Sequence, residues 1–146
     1  MNFNRSFALI VLTVLLAMQG NNVAAGDVLL KREVNQKNPG GKDLVISIEE
    51  MRRDERVSLV KVTFVSGASV PSSMFIVRCF YDIARVRGAT HFLKLKEWQT
   101  KEGSRMLLVG FSKSNSVNPK EYFNLSESTD QKFMAVSDFD PLFKGQ

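Results

Sequence analysis

The chain has 146 residues, 20 of them Lys or Arg and 15 Asp or Glu, so it carries a formal charge of +5, with one histidine and one cysteine. That length suits one compact core and excludes two. A single cysteine excludes an intramolecular disulfide, and one histidine with one cysteine excludes a typical zinc site.

Met1 to Ala25 follows the order of a cleavable export signal: Arg5, the apolar run Phe7 to Met18, a polar segment, and the small-residue ending Val23-Ala24-Ala25. A transmembrane anchor needs about 20 apolar residues, and this run is shorter. No cysteine follows closely, so the acylated cysteine of a bacterial lipoprotein is missing. The sequence predicts a soluble exported product, periplasmic or secreted, beginning near Gly26 and having no stable membrane anchor after cleavage. The expected organisation is a signal peptide at 1–25, an N-terminal segment and loop at 26–43, an α+β core domain at 44–112, and a loop with an irregular tail at 113–146. Asn124-Leu125-Ser126 matches the N-glycosylation acceptor pattern, which matters only in a eukaryotic secretory pathway.

Lys37 to Lys42 is rich in residues that break regular structure and reads as a loop. Leu44, Ile46 and Ile48 then alternate with polar or smaller residues, as do Val60, Val62 and Phe64 after the charged segment Arg52 to Arg56. This is a strand signal on both sides of a turn. The predicted hairpin sets Ile48 opposite Val60, Ile46 opposite Val62 and Leu44 opposite Phe64, all on one face. Pro71-Ser72-Ser73 predicts a helix start with a serine N-cap. Phe75, Ile76, Cys79, Phe80, Ile83 and Val86 form its apolar stripe, and Gly88 is placed to end it. Arg78, Asp82 and Arg85 are spaced for ion pairs along its solvated side.

Leu93 and Leu95 predict a strand, Lys101-Glu102-Gly103 a turn, and Arg105 to Phe111 a returning strand whose Leu107, Val109 and Phe111 share the leucines' face. The fold expected is a mostly antiparallel four-stranded sheet with one helix on one face, in the order β-β-α-β-β. The tail from Ser112 has scattered aromatics without a period and is placed over the second face of the sheet.

No motif carries strong catalytic chemistry. Cys79 and His91 are the sole candidates for a nucleophilic pair, but Cys79 lies roughly 13 Å back along the helix from Gly88, in the apolar stripe, while His91 opens the strand beyond the far end. Ser58-Leu59-Val60-Lys61 matches the serine-lysine pattern of penicillin-recognising enzymes, yet it lies on a strand rather than at a helix start. No catalytic residue, cofactor site or metal site is therefore assigned. One surface stands out: Phe92, Lys94, Lys96 and Trp98 alternate on the side opposite Leu93 and Leu95. Two aromatics flanking two lysines suit a ligand or partner that offers anions and a stacking plane.

Arg78 to Leu95, RCFYDIARVRGATHFLKL, resembles a group of small uncharacterised bacterial envelope proteins, often lipoproteins. Their helix carries an alanine, here Ala84, and runs into a glycine turn, here Gly88-Ala89, before a strand with an aromatic, here Phe92. The resemblance implies a small α+β envelope domain and no known activity. The function expected is a non-enzymatic exported domain that binds an anionic envelope component or a protein partner, with no nucleic acid expected. The alternative is a small hydrolase of an envelope polymer using acids such as Asp82, Glu97 or Glu102.

Overall fold

The computed structural model describes residues 29–37, 43–66, 70–126 and 131–145. The expected signal peptide, and the expected loop after Lys37 up to Lys42, lie outside the described residues. Strands β1 (Lys31–Gln36), β2 (Leu44–Arg53), β3 (Val57–Ser66), β4 (His91–Gln99), β5 (Arg105–Ser112) and β6 (Met134–Ala135) form one antiparallel sheet in the order β1-β2-β3-β5-β4-β6. Helix α1 (Val70–Val86) links β3 to β4. The single-turn helices α2 (Pro119–Tyr122) and α3 (Asp140–Phe143) and a 3-10 turn (Val136–Phe139) lie in the C-terminal region. The α+β class and the β-β-α-β-β succession of residues 44–112 are present, within a sheet of six strands rather than four and with short helices added to the single one expected.

Both extra strands are edges. In β1 the segment Lys-Arg-Glu-Val-Asn-Gln has one apolar residue, so it shows no alternation, and its charges suit an exposed edge. β6 has two residues and pairs with His91 and Phe92 alone. The tail is correspondingly less irregular than its sequence suggests. Its last part packs on the helix side, where Val136 enters the core, Phe139 meets Phe92 at 5.5 Å and Phe143 meets Tyr81 at 5.5 Å between ring centroids.

The core lies between α1 and one face of the sheet. From the sheet come Leu44, Ile46, Ile48, Val60, Val62, Phe92, Leu107, Val109 and Phe111, and from α1 come Ile76, Cys79, Phe80, Tyr81, Ile83 and Ala84. Full burial of each large apolar side chain contributes about 1.5–3 kcal/mol. The helix begins at Val70, so Pro71 to Ser73 belong to its first turn instead of capping it, an allowed place for proline. It ends as expected: Gly88 takes φ 64°, its N–H donates to the Arg85 carbonyl at 3.1 Å and that of Ala89 to the Ala84 carbonyl at 2.9 Å. Val86 is 60% exposed, whereas Tyr81 and Ala84 are buried, so the buried stripe is turned from the one expected. Asp82 and Arg85 pair with other elements rather than along the helix, Asp82 with Arg32 of β1 at 2.9 Å and Arg85 with Asp140 of α3 at 3.6 Å.

In the β2–β3 hairpin the register is two residues from the expected one: Ile46 faces Phe64, Ile48 faces Val62 and Glu50 faces Val60. A two-residue slip keeps the same side chains inward, so the core is unchanged. The slip arises because β2 continues through the charged segment to Arg53, with the ladder interrupted between Glu50 and Arg52 so that Met51 is the extra residue of a bulge. Residues three apart in a regular strand point to opposite faces. Across this bulge Glu50 and Arg53 point to the same one.

The Glu50 side chain is fully buried. Arg53 donates to both of its oxygens, with Nε 2.9 Å from Oε1, Ser58 Oγ donates to Oε1 at 2.6 Å, and the Leu30 N–H donates to Oε2 at 3.2 Å. Arg87, just past α1, donates to Ser58 Oγ at 3.2 Å and to the Asp54 and Glu55 carbonyls at 2.6 and 2.8 Å, with its guanidinium 4.7 Å from the Phe111 ring centroid. One carboxylate thus joins the approach to β1, both strands of the first hairpin, its turn and the end of the helix.

Burial alone would raise the Glu50 carboxyl pKa, but hydrogen bonds from Arg53, Ser58 and the Leu30 amide, with the Arg53 charge, hold it below the ordinary value of 4.5. The unfolded chain therefore binds the proton more readily, and stability present above about pH 4.5 is lost as pH falls toward the folded-state value. Thermal midpoints measured from about pH 7 to about pH 3 are expected to fall in acid. In Glu50→Gln they should start lower, by about 1–3 kcal/mol of stability, and fall less steeply. An acid slope identical to that of the unaltered protein would contradict this role for Glu50.

Candidate functional site

The structure divides the Phe92, Lys94, Lys96 and Trp98 stripe in two. Phe92 pairs with Phe111 and Lys94 with Val109, which puts both on the helix-covered face. The ladder then shifts between Lys94 and Lys96, making Leu95 the extra residue of a second bulge. Beyond it Lys96 pairs with Leu108 and Trp98 with Met106, both on the opposite face. Phe92 is 0% exposed and meets Phe80 of α1 edge-on at 6.1 Å, so the expected exposed aromatic is a core residue. Leu93, expected on the core side, instead shares the second face with its partner Gly110 and is buried there.

Lys94 is held on the first face by Glu97, at 2.7 Å, and Glu97 also accepts from Arg105 Nε at 2.7 Å. The bulge is again what lets residues three apart pair across one face. The Lys94 hydrogen bond, with that from Arg105 and both charges, outweighs partial burial and keeps the Glu97 carboxyl below its ordinary range. Glu102, in the β4–β5 turn, is also lowered, by backbone and Thr100 hydrogen bonds. A general acid needs a raised carboxyl pKa. Of the three acids considered for hydrolysis, Asp82 and Glu97 are engaged by arginine or lysine and Glu97 and Glu102 are shifted in the opposite direction.

What remains on the second face is a block of three strands: Lys96 and Trp98 on β4, Leu108 and Met106 on β5, Leu59 and Lys61 on β3. Leu59, Lys61, Met106 and Leu108 are half-buried, Lys96 is exposed, and Trp98 is 40% exposed with the Lys96 ammonium 6.0 Å from its ring centroid. At one end this face is covered. Phe123, following α2, lies so close over Gly110 that a Cβ there would overlap its ring. Arg56 holds that segment through the Tyr122 carbonyl at 3.1 Å and the Tyr122 ring at 4.6 Å. The expectation that the tail covers the second face therefore holds for its first part at that end alone.

Two other places hold titratable groups. A shallow cavity of about 400 Å³ is lined in part by Arg85, Thr90, His91, Ser137 and Asp140. Tyr81 donates to Asp140 at 2.8 Å, Arg85 donates to Tyr81 at 3.2 Å, and Thr90 Oγ1 lies 2.8 Å from His91 Nδ1. The Tyr81–Asp140 hydrogen bond and the Arg85–Asp140 ion pair fasten α3 to α1. Cys79 is fully buried in the core, and burial pushes its thiol up to about 12. Among the described residues no group of three or more His, Cys, Asp or Glu is arranged to hold a metal ion, and no helix is long and apolar enough to cross a membrane.

Compared with known protein families, with curated proteins and with solved structures, the chain matches none.

A thiol pKa near 12 within a packed core predicts a chemically quiet cysteine. Labelling of Cys79 by a thiol reagent near neutral pH should be slower in the native protein than in denaturant by at least about a hundredfold. Comparable rates would show that the thiol is accessible and would reopen a role for it.

Proposed function

We propose that this chain is an exported, non-enzymatic domain that binds an anionic component of the cell envelope through the uncovered face of its sheet. The observation carrying this reading is the block around Trp98: an exposed indole and two lysines beside half-buried aliphatics on a face that α1 does not cover. Lys96 and Lys61 form no ion pair among the described residues. Lys94, Arg32, Arg53, Arg85 and Arg105 each meet a carboxylate. The N-terminal segment supports export, and the likeness of Arg78 to Leu95 to small envelope proteins supports the compartment.

The reading is tested in two steps. Expressed from its full sequence, the protein should be recovered from a soluble exported fraction with an N-terminus near Gly26; an intact Met1 or Asn2 end in washed membranes would contradict cleavage and show that Phe7 to Met18 serves as an anchor. Immobilised, it should retain anionic envelope material at about 0.01 M salt, where charges act over about 30 Å, and release it near 1 M, where they act over about 3 Å. Lys61→Ala with Lys96→Ala should abolish most of that retention. Unchanged retention by the folded double variant would remove this face from the function.

A further inference from the structure

We infer that the partner of the Lys96 and Trp98 face is the phosphate-bearing headgroup layer of an anionic membrane, against which the protein lies peripherally, an inference resting on the envelope-binding reading above. The six residues of the block span two strand spacings, roughly 10 Å across the sheet, and about 7 Å along each strand. Lys96 and Lys61 occupy opposite corners, Trp98 and Leu59 the other two, and Met106 and Leu108 the middle.

This arrangement distinguishes a lipid surface from a soluble polyanion. A phosphorylated polymer offers charge and hydroxyls, which would satisfy the lysines and leave Leu59, Met106 and Leu108 against a polar partner. A bilayer offers phosphates at one depth and apolar chain at the next. Lysines on an apolar face place their stems on the hydrocarbon side and their ammonium groups at phosphate level. Tryptophan is enriched at that same boundary, where its ring is half in apolar surroundings and its N–H meets polar ones.

The surrounding charge is mixed, with Glu49 opposite Lys61 on β2 and Glu102 of the β4–β5 turn near enough to feel the Lys61 charge, but it allows the contact. Toward the β1 edge the row through Lys61 continues to Glu49 and then Lys31, and the row through Leu59 continues to Arg52, which pairs with Asp54 at 2.8 Å. The chain carries +5, and the product expected after removal of residues 1–25, which hold Arg5 and no acid, about +4. Anionic surfaces attract such a protein, and each lysine near the surface strengthens the attraction several-fold.

The chain has one tryptophan, so its fluorescence reports this face directly. The exported protein is mixed with vesicles of phosphatidylcholine alone, or with about one-third phosphatidylglycerol, some of it bromine-labelled. With the anionic vesicles Trp98 emission should shift to the blue and be quenched by the label, and the protein should sediment with them. With phosphatidylcholine alone these effects should be weak. Lys61→Ala with Lys96→Ala should weaken partitioning on the order of thirtyfold. Lys120→Ala with Lys144→Ala, which removes equal charge elsewhere, should weaken it by less than about threefold. Should the first double variant lose its native circular dichroism, Lys96→Glu alone, at an exposed position, is used in its place.

No blue shift with anionic vesicles, or equal weakening by the two double variants, would overturn the inference. So would a blue shift produced as strongly by inorganic polyphosphate in solution, which would make the occupant a soluble polyanion. If vesicles fail while the immobilised protein still retains lipid-free envelope material through Lys61 and Lys96, the envelope-binding reading stands and only its lipid assignment falls. Loss of both would remove the two together.

Discussion

A carboxylate buried between a sheet and a helix end must be paired where it lies, and Glu50 sets that condition for the first half of this fold. Leaving an ionised group in the core without partners costs several kcal/mol. Glu50 has four donors from three residues, and the strongest of them, Arg53, can reach it only because Met51 is bulged out of β2. Bulge and ion pair therefore require each other. Through Ser58 and Arg87 the same network closes the turn of the first hairpin against the end of α1.

The second hairpin repeats the device in a more exposed setting. In β4 the bulge at Leu95 lets Lys94 reach Glu97, with Arg105 adding a second cation. Because a bulge exchanges the faces of every later residue, it also sends Lys96 and Trp98 to the side away from the helix. Glu97, the acid between them in sequence, lies on the other face with Lys94 and Arg105. A cation and an indole left without a carboxylate partner on an open sheet follow from the strand geometry, and the proposed membrane contact uses what that geometry leaves.

Much of the core was legible because it rests on periodicity. Leu44, Ile46, Ile48, Val60 and Val62 alternate, Ile76, Cys79, Phe80 and Ile83 recur at helical spacing, and Gly88 and Gly103 stand where turns need positive φ. The bulges were not legible, since the residues past each are mainly polar or charged and show no phase break in a hydrophobic pattern, and each altered a reading downstream. In the first hairpin the register moved by two, which kept the core side chains of β2 and β3 inward, and past Met51 the faces of Arg52 and Arg53 exchanged. At Leu95 the face itself changed, which is why the stripe from Phe92 to Trp98 divided. A local hint existed in both places: an acid and a base three residues apart inside a strand, Glu50 with Arg53 and Lys94 with Glu97, cannot pair in a regular pleat. β1 was hidden by the polarity that protects an edge, and β6 by having two residues.

The claim that a buried pair and a bulge sustain one another is tested most directly by a double-mutant cycle on Glu50 and Arg53, read as unfolding free energy in urea at neutral pH. Glu50→Gln leaves a nearly buried guanidinium facing a neutral amide, and Arg53→Met leaves a buried carboxylate without its cation. Together they leave two neutral side chains, for which the desolvation cost largely disappears. The double variant should be destabilised by less than the two single variants summed, with a coupling of about 2 kcal/mol or more. Additivity within about 0.5 kcal/mol would contradict it and make Glu50 and Arg53 independent neighbours.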